Sequence, residues 1–234
     1  MINKPVMLIT GTRKGIGKYL AEYYSKNLYQ VIGCSRGLID YKLDNYQHFC
    51  LDVSEESSVK KMFTEIRKKY GRLDVLINNA GVNYAHSPLL LVPYESALKT
   101  VEVNLLGTFL LSREAAKIMK KKSFGRIVNL GSMAVKHEVK GEAIYTASKA
   151  AIVSLTRVMA KEISSYGITC NTVSPAAIDT DFIKKINNNA LNEVLSRNAI
   201  PNVGSLKEVS NTIDWLINTE SSAITGQSIY LGGA

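Results

Sequence analysis

Two residues in the second half of the chain, Tyr145 and Lys149, have side chains that could transfer a proton. They are four positions apart, so on a helix they lie next to each other on one face. A free phenol has a pKa of about 10, too high for ready proton exchange at neutral pH, but a nearby ammonium lowers it. The pair therefore predicts a general acid for reduction and a general base for oxidation. Tyr-x-x-x-Lys is also common by chance, and an amphipathic helix face explains the same spacing.

A glycine-rich segment near the start of the chain could bind a pyrophosphate. Gly11, Gly15 and Gly17 lie between a predicted strand and a predicted helix, in the sequence Thr-Gly-Thr-Arg-Lys-Gly-Ile-Gly. Glycines allow a tight turn and let backbone N–H groups approach an anion at the helix N-terminus. The spacing is GxxxGxG rather than GxGxxG, but the flanking strand and helix are the context that a dinucleotide loop requires. A plain strand-to-helix turn is the alternative.

The end of the second predicted strand indicates which dinucleotide would bind. An acidic residue there would contact the ribose 2′-hydroxyl of NAD, whereas this chain has Ser35 and Arg36. The Arg36 guanidinium, together with Arg13 and Lys14 from the glycine-rich loop, suits a 2′-phosphate. The sequence therefore predicts NADP(H) as the cofactor. The alternative is that all three are ordinary surface cations.

Signals for strands and helices alternate along the chain. Short apolar runs, typical of strands covered on both faces, are separated by longer amphipathic segments. The predicted strands are 6–10, 31–34, 48–51, 75–78, 127–130, 168–173 and 228–231, and the predicted helices are 16–27, 57–70, 94 to about 121, 145–166 and 207–218. Gly71 and Gly167 follow two helices, where a C-terminal glycine is expected. This alternation predicts an α/β fold, a Rossmann-like doubly wound parallel sheet of about seven strands with helices on both faces, in one domain spanning 1–234.

Composition and charge narrow the classes of function. The chain has 234 residues and a hydrophobic content of 46%, enough for one substantial core. We expect a cytoplasmic protein, because no apolar run approaches the roughly 20 residues that span a bilayer and the start lacks signal-peptide features. Cys34, Cys50 and Cys170 are expected to be small buried hydrophobes, and no metal site is predicted. The net charge of +9 favours an anionic cofactor or an acidic partner, while the dispersed Lys and Arg residues do not predict nucleic-acid binding.

An ordered set of motifs resembles the short-chain dehydrogenase/reductase family over essentially the whole chain. The matching residues are Thr10 to Gly17, Asp52-Val53, Asn78-Asn79-Ala80-Gly81, Val103-Asn104, Gly131-Ser132, Tyr145 with Lys149, and Ser174-Pro175. The resemblance implies that Tyr145 donates or accepts the proton and that Ser132 hydrogen-bonds the substrate oxygen. It also implies that Lys149 binds the nicotinamide ribose and lowers the Tyr145 pKa, and that Asn104 holds a water of the proton path. Taken singly, Ser132 could be a turn residue and Asn104 a helix-start residue.

The resemblance also implies which residues bind NADP(H). They are Gly11, Arg13, Lys14, Gly15, Ile16, Gly17, Ser35, Arg36, Asp52, Val53, Asn78, Ala80, Gly81, Tyr145, Lys149, Pro175, Ile178 and Thr180. The family usually has glycine where Ala176 stands, and an alanine there is strained only if its φ is positive.

Within the family, residues 200–227 most resemble the 3-oxoacyl-[acyl-carrier-protein] reductases of fatty acid biosynthesis. That resemblance implies a 3-oxoacyl thioester substrate, an acidic acyl carrier as partner, and a homotetramer with helix 145–166 at one interface. Lys120, Lys121, Lys122 and Arg126 are expected at the cleft rim, where they would steer the carrier. Tyr166, at a usually basic position, and the unusual segment 181–199 argue against this substrate. The alternatives are a reductase or dehydrogenase of a sugar, polyol or secondary-metabolite ketone, and a non-catalytic dinucleotide sensor or nucleic-acid binder.

Overall fold

One parallel sheet organises the computed structural model, which describes residues 4–26, 29–178 and 188–233. Within these residues the sheet has seven strands in the order β3-β2-β1-β4-β5-β6-β7. The strands are β1 Val6–Thr10, β2 Gln30–Ser35, β3 Tyr46–Cys50, β4 Val75–Asn78, β5 Gly125–Leu130, β6 Ile168–Ser174 and β7 Ser228–Tyr230. The order reverses between β1 and β4, and doubly wound sheets bind ligands at such a switch point. The predicted fold is confirmed.

Helices connect the strands on both faces of the sheet. They are α1 Gly15–Lys26, α2 Glu56–Tyr70, α3 Tyr94–Val101, α4 Thr108–Met119, α5 Ala134–His137, α6 Ala143–Ile163, α7 Asn188–Leu195 and α8 Leu206–Ile217. Short 3₁₀ turns cover Leu89–Leu91, Lys120–Lys122, Ser164–Tyr166 and Thr219–Ser221. Gly71 and Gly167 adopt the predicted left-handed conformation behind α2 and the turn that ends α6, with φ of 67° and 69°. The sequence did not predict α5 or α7.

The helix predicted from residue 94 to about 121 is interrupted in its middle. Glu102–Gly107 forms a π-helical segment between α3 and α4, and it carries Asn104. Gly107 packs there against the residues after β3, where a Cβ would come within 2.9 Å of the Val53 side chain and 3.2 Å of its carbonyl oxygen. Because π-helical turns recur at functional sites, this segment indicates that Asn104 lies near one.

Alternate residues of each central strand enter two separate cores. Leu8, Leu76 and Ile127 pack on the face covered by α2, α4 and α6. Ile9 and Ile77 pack on the opposite face, against α1 and α8. Burial on both faces explains why the strands read as continuous apolar runs.

The prediction that all three cysteines are buried has a mixed outcome. Cys34 and Cys170 are buried as expected, but Cys50 is exposed, because it is the last residue of the edge strand β3. Within the described residues, no helix is long and apolar enough to cross a membrane, and no cluster of side chains has the make-up of a metal site.

Candidate active site

The glycine-rich loop joins β1 to α1 at the carboxyl edge of the sheet. Gly11 and Gly15 have positive φ values of 72° and 59°, which favour glycine. A Cβ on Gly17 would lie only 2.3 Å from the Gly11 carbonyl oxygen, so the loop closes tightly on the first turn of α1. That first turn contains no acidic residue, which leaves the positive end of the helix dipole for an external anion.

Asn79, which was not among the predicted site residues, ties this loop to the end of β4. Its side-chain amide donates to the carbonyl oxygens of Thr10 at 2.8 Å and Gly11 at 3.3 Å. The backbone N–H groups of Asn79 and Ala80 both donate to the Thr10 hydroxyl. The two loops at the switch point are therefore held at a fixed separation. The Asn-Asn-Ala-Gly motif was the signal for this contact.

A polar network that the sequence did not predict supports the loop from the side of β3. The Tyr46 hydroxyl donates to the Thr12 hydroxyl at 2.9 Å and lies 3.0 Å from His48 Nδ1. His48 Nε2 lies 3.1 Å from the Ser35 hydroxyl. Gly33 makes room for this network, since a Cβ there would overlap the Tyr46 hydroxyl. Tyr46 and His48 are two residues apart, so their side chains lie on the same face of β3. This spacing is the only sequence signal for the network.

The cations predicted to bind a 2′-phosphate gather beyond β1 and β2. A Cβ on Gly37 would lie 2.8 Å from Arg13 Nη1, so the Arg13 guanidinium packs against the backbone of the residue that follows Arg36. Arg36 is exposed, and its positive charge is close enough to Asp52 to lower the pKa of that carboxylate. Burial would raise the pKa of Asp52, but hydrogen bonds from Ser54 and the charges of Lys99 and Arg36 lower it on balance. Lys14 is exposed in the same loop.

Tyr145 and Ser132 meet above the carboxyl ends of β5 and β6. Ser132 follows β5 directly, and Tyr145 lies in the first turn of α6. The Ser132 hydroxyl is close enough to the Tyr145 phenol to lower its pKa. The Ser132 oxygen also accepts from the Ala134 N–H at 3.1 Å, which fixes the hydroxyl at the start of α5. Two hydroxyl groups thus converge on one point, as polarisation of a carbonyl oxygen requires.

Lys149 and Asn104 lie below this pair, and both are almost completely buried. Lys149 donates to the Leu130 carbonyl at 2.8 Å, and its ammonium is 5.9 Å from the centre of the Tyr145 ring. Asn104 bridges Val82 and α6, since its amide nitrogen donates to the Ser148 hydroxyl at 3.0 Å and its oxygen accepts from the Val82 N–H. A Cβ on Gly81 would be 3.3 Å from the ammonium and 3.4 Å from the Asn104 oxygen, so glycine keeps this corner open.

The proton chemistry of the pair differs in one respect from the sequence expectation. Burial raises the pKa of Tyr145 above its usual value, the Ser132 hydrogen bond lowers it, and Glu142 raises it further. Burial lowers the pKa of Lys149 to about 8. The expected net lowering of the Tyr145 pKa is therefore wrong for the protein's own residues, because desolvation of the phenolate dominates. The phenol is held protonated at neutral pH, the state that a proton donor needs.

The remaining predicted cofactor residues have varied placements. The Asn78 side chain points into the core, where it donates to Ser112 at 2.9 Å and Asn129 at 2.8 Å, so only its backbone can line a ligand. Pro175 and Ile178 are buried beyond β6, and Thr180 lies outside the described residues. Ala176 is not among the residues with positive φ, so its alanine adds no strain.

The basic run expected at the cleft rim lies elsewhere. Lys120–Lys122 immediately precede β5, whereas Ser132 follows the other end of that strand. The six residues of β5, at about 3.3 Å each, separate the two edges by roughly 20 Å. Arg126 is 2% exposed and donates to the carbonyls of Asn218 and Thr219. The prediction that these cations line the cleft of their own chain is therefore wrong.

The site as a whole fits a dinucleotide. The loop after β1 offers N–H groups and open space at Gly15, where a Cβ would touch nothing within 4 Å. Cations stand where a 2′-phosphate would lie, and Gly81 leaves the path to Lys149 clear. The pairing of a protonated phenol with a second hydroxyl can supply a proton to a carbonyl oxygen at the far end of that path.

Comparisons with known proteins show that this chain is similar to reductases. A family model described as enoyl-(acyl carrier protein) reductase matches residues 11–233. The chain is 32% identical over 234 residues to the 3-oxoacyl-[acyl-carrier-protein] reductase FabG of Vibrio cholerae, covering 97% of this chain and 96% of that protein. The solved structure of ElxO with NADP bound is similar at a TM-score of 0.90 and 32% identity, covering 97% of each chain. An actinorhodin polyketide ketoreductase with NADPH has a TM-score of 0.88 and 26% identity, covering 100% of this chain and 97% of the other.

Proposed function

Because the chain belongs to the short-chain dehydrogenase/reductase family, we propose that it reduces a 3-oxoacyl thioester to the 3-hydroxyacyl product with NADPH. The observation that carries the proposal is the pair of neighbouring hydroxyls, those of Ser132 and a protonated Tyr145, in a chain that matches a 3-oxoacyl reductase over nearly its whole length. A phenol held neutral favours the reductive direction, because reduction consumes a proton at the carbonyl oxygen.

The catalytic roles follow from what each side chain can reach. When bound, NADPH supplies the hydride that the carbonyl carbon accepts. Tyr145 donates its hydroxyl proton to the carbonyl oxygen, while the Ser132 hydroxyl hydrogen-bonds the same oxygen and holds the phenol in place. Lys149, behind the phenol, stabilises the phenolate that proton transfer leaves. Asn104 ties Val82 to α6 beside Lys149 and would hold the water through which the replacement proton reaches Lys149.

The cofactor would lie across the switch point of the sheet. Its pyrophosphate would meet the N–H groups of Gly15 and Ile16 at the start of α1. Its 2′-phosphate would be bound by Arg36 with Arg13, a charge-assisted contact that NAD lacks. Asp52 and Val53 would flank the adenine, and Lys149 the nicotinamide ribose. The NADP named in the ElxO structure supports this choice of dinucleotide.

The acyl group would be presented by a carrier. We place the enzyme in the cytoplasm, as a single catalytic domain, and take an acidic acyl carrier protein as its partner and a homotetramer as its assembly. The named carrier of the FabG relatives supports the choice of partner. A secondary-metabolite ketone is the second candidate substrate, favoured by the likeness to a polyketide ketoreductase.

NADPH consumption with a panel of carbonyl compounds tests the proposal. Acetoacetyl thioesters, a cyclic polyketide-like ketone and a sugar ketone would be offered to the wild type and to Tyr145→Phe. We expect the thioesters to be the preferred substrates and the variant to lose about 10²- to 10⁴-fold in turnover, because it lacks the proton donor. NADPH fluorescence titration should show that the variant still binds cofactor. Near-normal turnover by Tyr145→Phe would overturn the mechanism, and inactivity on every thioester would overturn the substrate.

A further inference from the structure

Glu142 brings a carboxylate close to the catalytic pair of Ser132 and Tyr145. It is the N-cap residue of α6, three residues before Tyr145, and its negative charge raises the pKa of that phenol. The loop that carries it is tied to the loop after β4 by a hydrogen bond from the Ser87 N–H to the Gly141 carbonyl at 2.9 Å. Two loops from different strands thus enclose the carboxylate beside the phenol, and its side chain keeps 20% of its surface exposed.

The contacts of this carboxylate leave hydrogen-bond acceptors unused. Glu142 Oε1 accepts from the Asn83 side-chain amide at 3.3 Å and lies 3.5 Å from His86 Nδ1. Glu142 Oε2 has no hydrogen-bond partner among the residues that the structure describes. The Asn83 oxygen is also without a partner there, although it is shielded from solvent. Because Asn83 uses its nitrogen for Glu142, its oxygen is left to accept a hydrogen bond from elsewhere.

We propose that Glu142, with Asn83, selects substrates that are neutral next to the reacting carbonyl and excludes those with a negative charge there. The inference rests on the proposed function and narrows it: a 3-oxoacyl group is accepted as a thioester or amide and rejected as the free acid.

The proposed selection depends on the negative charge of Glu142 and its position rather than on the shape of its side chain. A substrate carboxylate next to the carbonyl would enter a partly dehydrated cleft that already contains one carboxylate, and like charges in such a setting repel strongly. His86 offsets little of this repulsion, because its side chain is 68% exposed. A neutral substrate avoids the repulsion, whereas an anion would meet the acceptor oxygens of Glu142 and Asn83 with no donor from them to bind it.

Paired substrates of opposite character test this proposal. Acetoacetate and the acetoacetyl thioester of N-acetylcysteamine share the reacting ketone and differ in charge. In the wild type we expect kcat/KM to be about 100-fold lower for acetoacetate than for the thioester, and Glu142→Gln to narrow this ratio about 10- to 100-fold. Glu142 makes no side-chain cap to α6, so the substitution removes no helix cap.

Matched variants separate charge from damage to the fold. Glu138→Gln removes an exposed carboxylate four residues away and should leave the ratio of the two substrates unchanged. Glu142→Lys should favour acetoacetate still more than Glu142→Gln, an effect that misfolding does not produce. A ratio that stays the same in both Glu142 variants, or a wild type that reduces both compounds equally well, overturns the inference alone. If the wild type consumes NADPH with no thioester, the proposed function itself has failed.

Discussion

Lys149 is the side chain whose placement has the largest electrostatic cost in the site. Its ammonium is 4% exposed, its hydrogen bond goes to a neutral carbonyl, and burial lowers its pKa from 10.5 to about 8. Below pH 8 the folded protein holds the desolvated charge, whereas the unfolded chain keeps it in water. The native state is therefore destabilised by a few kcal/mol at most, at about 1.4 kcal/mol per pKa unit. A group retained at that cost fits a functional role better than a structural one.

Replacing this lysine should trade activity for stability. We expect Lys149→Met to abolish turnover and to raise the melting temperature at pH 6.5 by about 3–6 °C, since it removes the buried charge but also one hydrogen bond. The unfolded wild type binds more protons than the folded one between pH 8 and 10.5, so wild-type stability from this group rises across that window. The advantage of the variant should therefore shrink as the pH increases from 8 to 10.

Thermal unfolding of both proteins at several pH values measures this difference. Lys161→Met, an exposed position on the same helix, is the control and should show no such pH dependence. A Lys149→Met protein that is less stable than the wild type at pH 6.5, or whose advantage is the same at every pH, contradicts the argument.

The identities of the site residues could be predicted from the sequence, whereas the pKa shifts of their side chains could not. Tyr145 and Lys149 follow from helical spacing, and Ser132 from its place in an ordered set of motifs. The direction of the Tyr145 pKa shift depends on how far the fold removes the phenol from water, which residue spacing does not show. Glu142 acts on that phenol from the preceding turn, and a charge in that position looks like an ordinary solvated helix start in sequence.

At the level of elements, the site depends on strand ends and loops that meet at one edge of the sheet. Because β1 lies between β2 and β4, the loop after β1 reaches both the cations after β2 and the amide of Asn79 after β4. The strands were predictable, since burial on both faces makes their apolar runs continuous. The π-helical turn was not, because a single shift of helical register disappears in a long amphipathic segment. The Tyr46–His48 network depends on the pairing of β2 with β3, which is a long-range contact.

Strand direction explains the error about the basic run. Lys120–Lys122 and Ser132 are close in sequence, but β5 separates them along its full length. Parallel strands place all their carboxyl ends at one edge, so residues that precede a strand lie at the opposite edge. The position of the lysines ahead of a predicted strand, and of Ser132 behind it, is therefore enough to put them at opposite edges of the sheet.

The juxtaposition of β1 and β2 predicts cofactor preference. We expect Arg36→Ala to raise the KM for NADPH about 10- to 100-fold and to leave that for NADH nearly unchanged, because it removes a charge-assisted contact to the 2′-phosphate. Steady-state kinetics with both cofactors measures the effect. Arg67→Ala, exposed in the last turn of α2, is the control for loss of a positive charge and should change neither value. A wild type that already prefers NADH would contradict the assignment of Arg36.

At the level of the whole molecule, several apolar side chains are exposed on α3, the π-helical turn, α4 and α6. Leu98, Leu106 and Phe109 on α3, the π-helical turn and α4 are between 41% and 48% exposed. These elements pack against α6, whose Ala150 and Val158 are also exposed. Ile152 on the same helix is buried, so α6 contributes one face to the core and presents another to the outside. If these side chains form one surface, we expect it to bind a protein partner, and in soluble oligomers that partner is most often a second copy of the chain.

The last prediction concerns that face. We expect the wild type to have the mass of a homotetramer at micromolar concentration, and Ala150→Glu combined with Val158→Glu to reduce it, because two carboxylates would be buried without partners at a two-fold contact. Both substitutions suit a helix, so α6 itself should persist. Light scattering coupled to size exclusion measures the masses. Leu38→Glu, which places the same charge on a residue that is 83% exposed after β2, is the control and should leave the assembly unchanged. A monomeric wild type would refute the proposed assembly, and a double variant of unchanged mass would move the interface to another face.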